Sequence, residues 1–190
     1  MSEGYKELKK KLKDFKNKAA YQHFLKEKGV LVPSAIMHMI FEGNAGTGKT
    51  TVAKMLARDL YKIGVLKTDK CVIVEKKDLV NFSRNMTPAQ HTEEYIKEAV
   101  GGIFFVDEAY SLVGNVGREI IEVFLTAMEN YKENTIFVFA GYSYDMQEFL
   151  NMNPGLSSRI SYVFHFEDYS VDELVKIFYK KKEDCRFVIK

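Results

Sequence analysis

The chain has 190 residues, 46% hydrophobic and 28% charged, long enough to bury a core without a disulfide or metal staple. Twenty-eight Lys and Arg stand against 26 Asp and Glu, and a net charge of +2 singles out no polyanionic partner. Cys71 and Cys185 lie far apart without C-x-x-C spacing, which excludes a disulfide framework and a zinc ribbon and suits a reducing compartment. No apolar run approaches the ~20 residues of a membrane span, and the opening MSEGYKELKKKLKDFK has no signal-peptide core. A cytoplasmic protein without membrane contact is expected.

Taken in chain order, residues 5 to 27 place Tyr5, Leu8, Leu12, Phe15 and Ala19 on one helical stripe. Nine lysines against four acidic residues fill the rest of the segment up to residue 28. This predicts an amphipathic helix with a solvated lysine face rather than a nucleic-acid arm. From Gly29 onward strands and helices alternate. The strands are predicted at 37–42, 71–74, 102–106, 135–140 and 162–166. The helices are predicted near 49–63, 88–99, 117–131, 144–150 and 170–181. Pro88 suits the first turn of a helix, and Pro154 with Gly155 marks a turn. The runs IFFV and TIFVFA are apolar without alternation, as strands covered on both faces should be. Such a β-α series predicts a doubly wound parallel sheet.

The chemistry is carried by Gly43-Asn44-Ala45-Gly46-Thr47-Gly48-Lys49-Thr50, a G-x-x-x-x-G-K-[ST] loop placed after a strand and before a helix. Its glycines let backbone N–H groups wrap phosphates, and the following helix adds its positive end. Lys49 is expected to reach the β- and γ-phosphates and Thr50 to hold Mg²⁺ through its hydroxyl. The second motif is Ile103-Phe104-Phe105-Val106-Asp107-Glu108, a buried strand that presents a carboxylate at its C-terminal end. Asp107 is placed for Mg²⁺, and Glu108 to orient and polarise the attacking water. Asp107 continues as Glu-Ala-Tyr, not D-x-x-G, and no N-K-x-D follows, so adenine is the expected base. His23, His38, His91 and His165 have no metal-ligand spacing.

With these residues in view, the chain resembles the AAA+ ATPases, in the branch of the red-type rubisco activase CbbX and stage V sporulation protein K. The resemblance runs over most of residues 30–182. It rests on GNAGTGKTTVAK (to Thr51 and beyond), Asp78-Leu79-Val80, GGIFFVDEAYSL, Gly117-Arg118-Glu119 and Ala140-Gly141-Tyr142. Asn153-Pro154-Gly155-Leu156-Ser157-Ser158-Arg159 and Phe166-Glu167-Asp168-Tyr169 complete the series. It implies an α/β fold, a three-layer α/β/α P-loop NTPase core with a parallel sheet of order 5-1-4-3-2. The implied divisions are an N-terminal helix over 1–28, the nucleotide-binding core over 29–168 and the start of an incomplete helical lid over 169–190. It also implies Arg159 as a trans arginine finger, Tyr142 in the sensor 1 region, ATP and Mg²⁺ as ligands, and a homo-oligomer of hexameric kind acting on a protein substrate. Where the branch carries the pore loop Gly-x-Tyr-x-Gly, this chain reads Asn81-Phe82-Ser83-Arg84-Asn85. After Phe166 only 24 residues follow, too few for the family's lid, and Arg186 fits its sensor 2 arginine poorly. The expected function is ATP hydrolysis coupled to remodelling of a protein partner, with weak self-association in this form. The alternatives are a nucleotide-dependent interaction module with little hydrolysis and a small-molecule kinase.

Overall fold

The computed structural model describes residues 3–81, 86–175, 177 and 179; Phe82 to Asn85 of the altered pore loop lie outside these residues, as do Cys185 and Arg186. Helix α1 (Glu3–Glu27) forms where the apolar stripe predicts it and buries Leu8, Phe15 and Ala19. Phe15 meets the rings of Tyr162 and Phe164 edge-on, with centroids 4.8 and 6.1 Å away. Lys16 reaches Asp59 at 2.7 Å, whereas Lys6, Lys9, Lys10 and Lys13 stay exposed. Tyr5, read as part of the stripe, is exposed. The lysine face is therefore the solvated back of a helix packed on the domain.

The chain continues through β1 (Met39–Gly43), α2 (Lys49–Lys62), β2 (Cys71–Val74), α3 (Lys76–Val80), α4 (Pro88–Ala99) and β3 (Ile103–Val106). A 3-10 turn (Ala109–Leu112), α5 (Asn115–Asn130), β4 (Ile136–Gly141), α6 (Ser143–Asn151), α7 (Pro154–Arg159) and β5 (Tyr162–Phe166) follow. All strand pairs are parallel, in the order β2-β3-β4-β1-β5, which is the expected order read from the other edge. Helices α1 and α2 cover one face, over Met39, Phe41, Phe105 and Val138. Helices α3 to α7 cover the other, over Ile40, Phe104, Phe137 and Phe139. The domain is thus three layers deep. Strands β3 and β4 are buried at every residue, which explains their unbroken apolar sequences.

Four helices differ from the sequence expectation. Helix α3 starts on a capping box in which the Glu75 N–H donates to the Asp78 carboxylate at 2.8 Å. Asn-Pro-Gly opens α7 instead of a turn: Asn153 Oδ1 accepts the Gly155 N–H at 2.8 Å, and Pro154 occupies the first helical turn. Helix α5 begins at Asn115, ahead of the predicted 117, after Gly114 with φ 129°. Of the last predicted helix, residues 171–175 are helical.

At the N-terminal edge of the sheet His38 is buried beside Arg159 and Glu129. Its Nδ1 accepts the Phe137 N–H at 3.2 Å, which leaves Nε2–H to donate to the Met128 carbonyl at 3.2 Å. Burial holds the imidazole neutral and pulls its pKa down to about 4, with Arg159 pulling the same way. Since the folded pKa lies below that of the unfolded chain, His38 contributes full stability above about pH 6.5 and loses it as the pH falls toward 4. Roughly 3 kcal/mol is expected to vanish across that window. Denaturant titrations at pH 7 and pH 4.5 should show a fall that is much smaller in His38→Gln. Equal falls in both proteins would refute the assignment.

Candidate functional site

The C-terminal ends of β3, β4 and β1 lie side by side, with Val106 paired to Phe139 and Glu42 to Gly141. Ligands of open α/β sheets sit at this edge. A cavity of about 180 Å³ opens there, lined by Gly43, Ala45, Gly46, Gly48, Lys49, Thr50, Asp107, Glu108, Tyr110, Gly141 and Tyr142. The glycine-rich loop and the acidic strand end, more than fifty residues apart in sequence, are thus brought together.

The loop from Gly43 to Thr50 is held by its own side chains. Lys49, first residue of α2, donates to the carbonyls of Gly43 and Asn44 at 2.8 Å each, and the Thr47 hydroxyl donates to the Asn44 carbonyl at 2.8 Å. Asn44 Nδ2 donates to both oxygens of Asp168 at 3.0 and 2.9 Å. Gly48 precedes α2 with φ 92°, and a Cβ there would lie 2.8 Å from the Tyr169 hydroxyl, so both conformation and space call for glycine. Asn44, Thr47 and Thr51 do not line the cavity, and Thr51 is exposed on α2.

Opposite the loop, the Thr50 hydroxyl lies 3.5 Å from Asp107 Oδ2, while the Asp107 N–H donates to the Val74 carbonyl at 2.8 Å. Glu108 has φ 48° and ψ 45°, the one non-glycine residue with positive φ among the described residues. Its N–H donates to Asp107 Oδ1 at 3.0 Å, and the left-handed turn leaves its carboxylate exposed at the cavity. Burial pushes the Lys49 ammonium below its ordinary pKa, while Asp107 and Glu108 pull it back up. The donors fit the proposed ligands. A hydroxyl and a carboxylate are hard oxygen donors suited to Mg²⁺. Lys49, now on two carbonyls, has the reach and charge for a phosphate. No group of three or more His, Cys, Asp or Glu side chains is placed to hold a metal among the described residues, so an ion here would take its remaining oxygens from phosphate and water.

Tyr142 lies directly after β4 and lines the cavity. Arg159 does not. It ends α7, before β5 begins, and so stands at the N-terminal edge of the sheet, where its Nη1 donates to the Gly155 carbonyl at 3.2 Å. It borders a groove with Glu122, Glu129 and Asn153. Sequence reasoning assigned no place to Tyr110, Asp168 and Tyr169, and took Gly141 only as part of the Ala140-Gly141-Tyr142 stretch. All four lay within quoted motif stretches, yet only the fold shows what they face.

Residues 39–167 match the family model of the ATPase family associated with various cellular activities (AAA). The chain is 38% identical over 178 residues to stage V sporulation protein K of Bacillus subtilis, covering 92% of this chain and 55% of that protein. It is 41% identical over 146 residues to the chloroplastic ribulose bisphosphate carboxylase/oxygenase activase of Cyanidioschyzon merolae, covering 74% of this chain and 50% of that one. Among solved structures, RuvB of Thermotoga maritima superposes with a TM-score of 0.64 at 21% identity, over 97% of this chain and 52% of that one. The chain thus spans about half the length of the relatives it matches. No helix among the described residues is long and apolar enough to cross a membrane.

Proposed function

The chain belongs to the AAA family of ATPases, and from that premise we propose that it binds Mg·ATP at the β1–α2 loop, hydrolyses it to ADP and phosphate, and uses the cycle to remodel a protein partner as an oligomeric ring. The observation that carries this reading is the convergence of Lys49, Thr50, Asp107 and Glu108 on one cavity. The loop N–H groups and the α2 N-terminus face the phosphates, and Lys49 leaves the Gly43 and Asn44 carbonyls for their oxygens. Thr50 and Asp107 hold Mg²⁺, whose charge offsets that of the phosphate oxygens. Glu108 orients a water and takes its proton as the water oxygen bonds to the γ-phosphorus. The bond from that phosphorus to the bridging oxygen breaks, and ADP leaves with the electron pair. Tyr142 borders the reacting end. Arg159, in trans, stabilises the developing charge on the γ-phosphate of a neighbouring copy.

The phosphate loop is tested at Lys49. Lys49→Ala removes the cation of the cradle while the fold persists, so titration calorimetry with Mg·ATP should show affinity lower by at least about tenfold, as expected for losing a charge-assisted phosphate contact. Unchanged affinity with an unchanged melting curve would overturn nucleotide binding at this loop.

A further inference from the structure

We propose that Tyr110 is a positioning residue for hydrolysis, acting through Tyr142 and resting on the ATPase reading above. Tyr110 lies on the 3-10 turn that follows Glu108, and the left-handed backbone at Glu108 brings both residues to the cavity. Its ring meets that of Tyr142 with centroids 5.5 Å apart and planes tilted by 39°. The contact depends on Gly141: a Cβ there would lie 2.7 Å from Tyr110 Cδ1 and 2.7 Å from Met146 Sδ. Tyr110 therefore rests on the last residue of β4 at the point where Tyr142 leaves the strand.

The consequence is mechanical. Glu108 leaves β3 and Tyr142 leaves β4, and one aromatic ring joins the two strand ends on the cavity side. Moving that ring changes where Glu108 and Tyr142 stand relative to each other. It leaves untouched the contacts of Lys49, Thr47 and Asn44, which lie within the loop between β1 and α2 or run from it to Asp168, after β5. Misplacement of reacting groups by an ångström is enough to cost about 10²-fold in rate. Tyr110 should therefore govern kcat and not nucleotide affinity. Burial together with the Glu108 carboxylate raises the pKa of its phenol, so the side chain stays neutral in this acidic corner. The role assigned here belongs to the ring.

The experiment compares Tyr110→Leu, Tyr110→Phe and Gly141→Ala for phosphate release and for Mg·ATP affinity by calorimetry, each at the parent's protein concentration. Tyr110→Leu should lose about tenfold or more in kcat with affinity within about twofold of the parent. Tyr110→Phe, which keeps the ring, should retain kcat within about threefold. Gly141→Ala should slow kcat as Tyr110→Leu does, and add little in the Tyr110→Leu background because both act on one contact. Parent kcat in Tyr110→Leu overturns the proposal. So does a Tyr110→Phe as slow as Tyr110→Leu, or an affinity loss that matches the loss in kcat. A parent that binds Mg·ATP and releases no phosphate at any protein concentration removes the ATPase reading itself, and the inference with it.

Discussion

Glu108→Gln should bind Mg·ATP as the parent does and hydrolyse it on the order of 10²-fold or more slowly, the loss expected when a positioned base is removed. The substitution leaves shape and backbone unchanged and takes away only the carboxylate charge. Asp107 and Thr50, 3.5 Å apart, remain to hold the ion, and the Lys49 cradle is untouched. The backbone supplies an internal control. Glu108 sits at φ 48°, a conformation that costs a non-glycine residue roughly 1–3 kcal/mol. Gln carries the same strain, so Glu108→Gln should melt with the parent, whereas Glu108→Gly relieves it and should melt at or above the parent temperature while losing hydrolysis equally. Single-turnover phosphate release, read beside nucleotide affinity and thermal melts, checks all three. Turnover of Glu108→Gln at the parent rate would place the catalytic base elsewhere.

The layered sheet was legible because its strands are written without alternation. IFFV and IFVFA can be satisfied only by cover on both faces, and both are buried throughout. The glycine-rich loop between β1 and α2 was legible because a turn ending in Lys-Thr needs few residues and all are adjacent. What the sequence hid has a different physical origin. Helices α3 and α7 span 5 and 6 residues, too short for an apolar period to repeat, and side-chain caps at Glu75 and Asn153 start them. The contact of Tyr110 with Gly141 spans two strand ends and leaves no local pattern. The same holds for Asn44, whose partner Asp168 lies 124 positions on. His38 looked like one of four unremarkable histidines; burial makes it neutral, and its tautomer is set by a backbone N–H and a carbonyl that only folding brings to its two ring nitrogens.

Mixing two inactive variants should restore hydrolysis. Arg159 precedes β5, and the cavity lies at the opposite, C-terminal edge of the same parallel sheet. The five residues of β5 alone span roughly 15 Å, so the guanidinium cannot serve its own chain's nucleotide without dismantling α7. Its Nε is buried without a hydrogen-bond partner, and Nη1 is held by the Gly155 carbonyl, which leaves the outer end of the fork as the part a neighbour could receive. An arginine supplied in trans is worth on the order of 10³-fold or more in related P-loop enzymes. Arg159→Ala should therefore lose hydrolysis on that scale while binding Mg·ATP as tightly as the parent. Parent specific activity should rise with protein concentration, because encounters between copies complete the site. Mixed with Glu108→Gln, Arg159→Ala subunits keep an intact Glu108, and Glu108→Gln subunits offer an intact Arg159. One interface of such a pair holds both groups, and the mixture should exceed the sum of its components. Specific activity that stays flat across a hundredfold dilution, with no gain on mixing, would show that Arg159 acts within its own chain's fold and completes no neighbour's site.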